Sequence, residues 1–107
     1  MRISLELVPR TENEFLHEVE TVNKQFNSID LINLPDILRN DIRSWDACYM
    51  SRNIMSNRIP HIRACDFSID EVQRLLDNVD RASVKEVLIV SGDQIPGAAK
   101  VGMTALE

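Results

Sequence analysis

Short apolar runs that alternate with helix-like stretches constrain this chain more than any other feature of its sequence. There are four such runs, and they span residues 3–8, 29–34, 59–64 and 87–90. A strand, a helix and a further strand at this spacing are typical of stacked βαβ units, whose strands form a parallel sheet. In such sheets the chemistry gathers at the carboxyl ends of the strands, so polar residues there are the first candidates for a functional site.

The stretches between the runs carry helix signals. Thr11 with Glu14, and Ser68 with Glu71, have the spacing of a capping box, which marks the first turn of a helix. The second helix is predicted to begin near residues 40–41. Apolar residues at helical spacing predict the buried faces. They are Phe15, Val19, Val22 and Phe26 in the first helix, Ile42, Trp45, Cys48 and Tyr49 in the second, and Ile69, Val72, Leu75, Leu76 and Val79 in the third.

The period of the pattern favours one architecture. The strands start roughly every 25–30 residues, and a (β/α)₈ barrel of ~250 residues divides into eight units of about 31. We interpret residues 1–93 as an α/β segment, a parallel βαβαβαβ arrangement that forms the first four strands and three helices of a TIM-type barrel. Residues 94–107 are predicted to be a loop and the truncated start of a fourth helix. The run at 87–90 is continuously apolar, which is typical of a strand covered on both faces.

Composition narrows the classes of function. The chain has 107 residues and a net charge of −5, which suit one small domain and argue against a nucleic-acid partner. No apolar run approaches the ~20 residues of a membrane helix, and the N-terminus lacks the pattern of a signal peptide. Cys48 and Cys65 have neither metal-ligand nor disulfide-framework spacing. We therefore expect reduced thiols in a cytoplasmic protein.

Strand alternation sorts the polar candidates onto faces. The residues expected within reach of one ligand are Glu6, Asn33, His61, Arg63 and Asp93. Glu6 is the sharpest candidate, because a carboxylate inside an apolar strand is costly to bury without a partner or a functional role. Partial desolvation would raise its pKa and make it a general acid near neutral pH. The alternative is a buried Glu6 that is paired with Arg63 or another arginine for structural reasons.

The other candidates also have structural interpretations. Asp93 follows Gly92 at the end of a strand, where a simple turn or cap aspartate is common. His61 lies within a strand and is compatible with a hydrogen-bonded core residue. No second histidine stands at metal-ligand spacing, so we predict no zinc site.

Four segments, taken in order, resemble the methylenetetrahydrofolate reductases. Residues 4–11 resemble the Ser-Phe-Glu-Phe-Phe-Pro-Pro opening of that family, and residues 60–65 resemble its third-strand His-Leu-Thr-Cys segment. Residues 68–76 are similar to the helix that follows. Residues 87–93 resemble the fourth strand, which usually ends Arg-Gly-Asp.

The resemblance implies a flavin-dependent (β/α)₈ barrel. Such enzymes reduce methylenetetrahydrofolate to methyltetrahydrofolate, taking hydride from NAD(P)H through FAD. Glu6 would match the acid that helps to open the one-carbon bridge of the folate, and Asp93 would match the aspartate that tunes flavin and folate. The residues implied to bind the cofactor are Asn33, His61, Arg63 and Ser91. The redox chemistry belongs to the cofactor, while the protein orients the reactants and tunes their electrostatics.

Departures from the family leave alternatives open. Asn33 lies where the family has a Thr-Tyr-Gly stretch, and Ser91 stands where an Arg that touches the cofactor is common. A weaker or altered flavin site is therefore predicted. Without strands five to eight, the chain alone is expected to be inactive. One alternative is a non-catalytic half-barrel that binds folate or flavin and pairs with itself or with a partner chain, since two copies supply eight strands. Another is a different barrel enzyme of pterin or one-carbon metabolism.

Overall fold

The computed structural model describes residues 1–91, which alternate between strands and helices. The elements are β1 (Ser4–Glu6), α1 (Glu12–Gln25), β2 (Leu31–Leu34), α2 (Ser44–Met50), β3 (Arg58–Arg63), a 3₁₀ turn (Ala64–Asp66), α3 (Ile69–Arg81) and β4 (Leu88–Val90). This order confirms the predicted α/β alternation of four strands and three helices. The predicted loop and helix start at 94–107 lie outside the described residues.

The strands form one parallel sheet in the order β1-β2-β3-β4. Ile32 pairs with Arg58, so Ile32, Leu34 and Ile62 lie on the same face of the sheet. Ile32 and Leu34 belong to the core formed with α1 and α2, whereas Ile62 packs against α3. All three helices therefore cover one face, as expected when each right-handed crossover leads to the next strand.

The opposite face, which we call the open face, has no covering helix within residues 1–91. The register assigns to it Ser4, Glu6, Leu31, Asn33, Ile59, His61, Arg63, Leu88 and Val90. Leu31 is buried at the amino end, while the other residues are half-buried or exposed. The predicted burial of the last strand on both faces is wrong: Leu88 is 45% exposed and Ile89 is 43% exposed. Strand β4 lies at an edge of the sheet, so its neighbours among the described residues cover it only in part.

Helices α1 and α3 begin where the sequence predicts. Thr11 is the N-cap of α1, and its hydroxyl accepts from the Glu14 N–H at 3.3 Å. Ser68 caps α3 by accepting from the Glu71 N–H at 3.4 Å, and its hydroxyl donates to the Glu71 carboxylate at 3.0 Å. Each cap satisfies an N–H group that has no partner within the helix, which fixes the first turn.

The predicted apolar stripes are confirmed in the middle of α1 and α3 and are wrong at their ends. Phe15, Val19 and Val22 are buried in α1, and Leu75 and Val79 are buried in α3. The two exceptions are Phe26, which is 52% exposed, and Ile69, which is 73% exposed. Phe26 follows the last residue of α1 and Ile69 is the first residue of α3, so neither lies on the part of a helix that faces the sheet.

The predicted start of α2 near residues 40–41 is wrong, because the helix begins at Ser44. Its first N–H is satisfied from a distance, since the Asp36 carboxylate accepts from the Ser44 N–H at 3.1 Å. The start of α2 is therefore set by the position of Asp36 in the folded loop. The N-cap residue, Arg43, makes no side-chain capping hydrogen bond. Ala47 and Cys48 are fully buried, whereas Tyr49, predicted on the buried face, is 52% exposed.

Candidate functional site

Polar side chains of three neighbouring strands meet on the open face. Glu6 of β1 pairs directly with Asn33 of β2 in the sheet register. The imidazole of His61, on β3, lies against Asn33, with Nε2 3.3 Å from Oδ1. The structure thus brings together three of the predicted site residues near the carboxyl ends of their strands.

Ser4 extends this contact into a hydrogen-bonded chain across the sheet. The Asn33 amide donates from Nδ2 to the Ser4 hydroxyl, while its Oδ1 faces His61. Ser4 was not among the predicted site residues. Its signal in the sequence is the two-residue spacing from Glu6, which places both side chains on the same face of β1.

The electrostatics of His61 favour the neutral imidazole. Burial lowers the pKa of His61 below its ordinary value of 6.5, and the nearby negative charge of Glu6 opposes this only in part. Desolvation disfavours the charged form of a histidine. At neutral pH the ring therefore has one N–H donor and one lone-pair acceptor.

The expectation that Glu6 is desolvated is wrong for the described residues. Glu6 is exposed, because the helices pack on the other face of the sheet. The alternative of a buried Glu6 in a structural ion pair is also wrong, because Glu6 is exposed. Arg63 forms an ion pair with Asp66, with Nε 3.4 Å from Oδ2. The carboxylate of Glu6 therefore lies in solvent beside Asn33, where a bound molecule can reach it.

Arg63 is held at the end of β3 by its own loop. Besides the Asp66 ion pair, its Nη2 lies 3.5 Å from the Cys65 sulfur. These contacts, the one with Cys65 first, raise the pKa of Arg63 and outweigh the effect of burial. Arg63 shares the open face with His61, but these contacts engage it with the loop that leads to α3.

Asp36 is a buried carboxyl group that was not among the predicted site residues. Its side chain is fully buried, and its Oδ2 lies 3.5 Å from Nη1 of Arg43. Burial raises the pKa of Asp36, although the Ser44 N–H and the Arg43 guanidinium act in the opposite direction. The signal that could have found it is a carboxylate two residues beyond β2, at the end of the sheet where parallel α/β proteins place functional groups.

The fourth strand contributes less to the described site. Ser91, predicted to bind a cofactor, is exposed, and its backbone carbonyl accepts from the Cys65 N–H at 3.2 Å. This bond continues the β3–β4 pairing past the end of the strands. Asp93 lies outside the described residues.

Two general properties of residues 1–91 bear on the kind of site. No cluster of three or more His, Cys, Asp or Glu side chains in this part of the chain is arranged to hold a metal ion. None of its helices combines the length and the apolar character that a membrane span requires.

The fold and the site define a parallel α/β protein with a polar cluster at the carboxyl ends of β1, β2 and β3. Comparison with known proteins found no matching family model, no matching curated protein and no matching solved structure. Chemically, the cluster offers a carboxylate, an amide and a neutral imidazole. All three groups can hydrogen-bond a polar heterocycle, and the carboxylate and the imidazole can also exchange protons with it.

Proposed function

We propose that this sheet is the first half of a (β/α)₈ barrel in an oxidoreductase that resembles the methylenetetrahydrofolate reductases. The observation that carries the proposal is the meeting of Glu6, Asn33 and His61 on the open face. In a barrel of this class the helices lie outside and the catalytic groups come from the carboxyl ends of different strands. The single helical layer and the polar strand ends support this assignment.

The groups on the open face suit a flavin or a folate ring. The Asn33 amide and the His61 imidazole each combine a donor with an acceptor, and both are half-buried. Ile59 and Leu88 add apolar surface on the same face. A planar heterocycle with polar edges is bound by this combination of apolar contact and a few placed hydrogen bonds.

Each residue has a distinct role in the proposed reaction, in which methylenetetrahydrofolate is reduced to methyltetrahydrofolate at the expense of NAD(P)H. FAD, when bound, supplies the two-electron chemistry that links the nicotinamide to the folate. Asn33 and His61 hold the edge of a ring. Glu6, in its protonated carboxyl form, gives its proton to the folate nitrogen as the one-carbon bridge opens and is left as the carboxylate. The bound rings shield this side chain from water, which favours the protonated form beforehand. In this proposal Asp93 tunes the flavin and the folate, and Arg63 and Ser91 also contact the cofactor.

Binding of FAD to the purified chain tests the proposal. We expect the chain to quench the fluorescence of added FAD, and we expect His61→Ala to weaken the affinity at least tenfold, the effect of about 1.4 kcal/mol. His17→Ala is the matched control, because His17 is exposed on α1, away from the open face. A chain that does not bind FAD, or equal losses in the two variants, would contradict the proposal.

Activity tests the role of Glu6 in a protein that contains the whole proposed barrel. Glu6→Gln keeps the size and the hydrogen-bonding capacity of the side chain but cannot give up a carboxyl proton. We expect folate reduction to fall by a factor of 10² or more, in the range of general acid catalysis. Reduction of the flavin by NAD(P)H should continue at the wild-type rate. Unchanged folate turnover would remove Glu6 from the mechanism.

The exposed edge strand favours a second candidate function, a non-catalytic half-barrel that pairs with a second copy of itself. Leu88 and Ile89 are exposed on β4, and β1 forms the opposite edge of the sheet. In such a dimer, β4 of each copy would pair with β1 of the other copy. The eight parallel strands would then form a closed barrel with the helices outside. Exposed apolar edge strands associate with other strands unless they are covered.

Light scattering decides between a monomer and this dimer. Pairing predicts twice the monomer mass of 12.2 kDa, and Leu88→Lys should return the chain to the monomer. Leu38→Lys is the control, because Leu38 is also exposed, at 39%, but lies outside the sheet. A wild-type chain that stays monomeric at high concentration would exclude pairing.

A further inference from the structure

The orientation of the Asn33 amide determines what His61 can do. The amide group of Asn33 donates to the Ser4 hydroxyl, so its carbonyl oxygen is the atom that faces the imidazole. An amide oxygen only accepts hydrogen bonds. With the amide in this orientation, Nε2 of His61, which lies 3.3 Å from this oxygen, forms a hydrogen bond with it only when Nε2 carries the hydrogen.

The backbone of His61 is fixed from the other side of the sheet. The Ser44 hydroxyl, at the start of α2, donates to the His61 carbonyl oxygen at 2.6 Å. Ser44 is fully buried, so this bond is shielded from water. The imidazole is thus held by Asn33 on the open face. The backbone of β3 at His61 is held by α2, which packs on the opposite face.

We propose that Ser4 and Asn33 are positioning residues that hold His61 as its Nε2–H tautomer, so that Nδ1 is the acceptor offered to a ligand. A neutral imidazole has a single N–H group. The nitrogen that carries the hydrogen is decided by the hydrogen bonds between the ring and its neighbours. Within residues 1–91, no hydrogen bond involves Nδ1. The assignment of a ligand to this nitrogen rests on the proposed function, whereas the tautomer itself does not.

This tautomer selects the chemistry of the ligand. A lone pair at Nδ1 accepts a hydrogen bond from a ring N–H group, as found in the amide-like part of a flavin or a pterin. The same nitrogen repels a carbonyl oxygen, which would need a donor. The site therefore discriminates by the direction of the hydrogen bond as well as by shape, and binding of a ligand with the opposite pattern leaves two acceptors in contact.

Imidazole nitrogen shifts measured by NMR on the ¹⁵N-labelled chain test the proposal without any ligand. At a pH where the ring is neutral, Nε2 of His61 should give the shift of a protonated nitrogen, and Nδ1 that of an unprotonated one. His17, exposed on α1, provides an internal reference for a ring in solvent. A His61 that is protonated at Nδ1, or that averages between tautomers in the wild-type chain, would overturn the proposal.

Two variants of Asn33 separate positioning from packing. Asn33→Leu removes the acceptor that faces the ring, so His61 should no longer be held in the Nε2–H tautomer. Asn33→Asp keeps an acceptor at the same place, so the Nε2–H form should persist. Ser4→Ala frees the amide to turn and should partly release the tautomer. Should Asn33→Leu fail to fold, the wild-type and Asn33→Asp spectra still decide, because loss of the Nε2–H form in either contradicts the proposal. Failure of FAD to bind would leave this result unaffected.

Discussion

The guanidinium of Arg58 donates two hydrogen bonds to the backbone carbonyl of Ala82, from Nη1 at 3.0 Å and from Nη2 at 2.8 Å. Ala82 follows the last turn of α3, where carbonyl groups have no partner within the helix. Arg58 is only 3% exposed at the start of β3. Its positive charge therefore lies at the negative end of the helix dipole and joins the end of α3 to the sheet.

Removing this side chain should destabilise the fold strongly. We expect Arg58→Ala to lower the free energy of unfolding by about 2–4 kcal/mol, because buried carbonyl groups lose a charged donor and a cavity remains. Urea denaturation followed by circular dichroism measures the change. Arg52→Ala is the control: Arg52 is exposed and stacks on Tyr49, so its loss should cost no more than about 1 kcal/mol. Equal losses in the two variants would contradict this role for Arg58.

The buried carboxylate of Asp36 should make stability depend on pH. Since burial raises the pKa of Asp36 above its ordinary value of 3.8, the folded chain holds this proton to a higher pH than the unfolded chain does. The contribution of Asp36 to stability is therefore complete below the unfolded pKa and is lost as pH rises through the folded pKa.

Comparison with Asp36→Asn isolates this effect. The amide can still accept from the Ser44 N–H, but it does not titrate. We expect the stability of the variant, relative to wild type, to improve as pH rises from about 4 through the folded pKa of Asp36. Unfolding measured in urea at several pH values gives the difference. A difference that is constant with pH would contradict the prediction.

His61 should give a dependence on pH in the neutral to acidic range. Burial lowers its pKa, so the unfolded chain takes up a proton near the ordinary value of 6.5 before the folded chain does. The contribution of His61 is complete above the unfolded pKa and is lost as pH falls through the folded pKa. We expect His61→Gln to remove this part of the pH dependence in denaturation experiments.

The charge of Glu6 should be visible when the His61 ring is titrated and followed by NMR. Glu6 raises the pKa of His61 against the larger effect of burial, so Glu6→Gln should move the midpoint of the His61 ring signals to lower pH. Glu20→Gln is the matched control, since Glu20 is exposed on α1 behind the sheet. An unchanged midpoint in Glu6→Gln would show that the two side chains do not interact.

The two thiols should differ in reactivity. Burial raises the pKa of Cys48 to about 12, and its side chain is fully buried, so almost no reactive thiolate is present or accessible. We expect a thiol reagent at pH 8 to label Cys65 in the folded chain and to reach Cys48 only after unfolding in urea. Peptide mass mapping identifies the labelled residue. Labelling of Cys48 in the folded Cys65→Ser variant would contradict the described core.

Much of the fold is predictable because its signals are local. The caps at Thr11 and Ser68 are recognised from pairs of residues three positions apart. The strands are recognised from short runs of apolar residues. The shared face of Ser4 and Glu6 likewise follows from alternation along one strand. The start of α2 was not predictable in this way, because its first N–H is satisfied by Asp36, which is eight residues away.

The sequence by itself determined that strands and helices alternate, that the sheet is parallel, and which polar residues stand near the strand ends. Only the tertiary structure decided that Glu6 and β4 are exposed, because exposure depends on the face to which all three helices pack. It also decided that Ser4, Asn33 and His61 touch. That contact requires a particular register between three strands, and register is set by side chains that lie far apart in the chain.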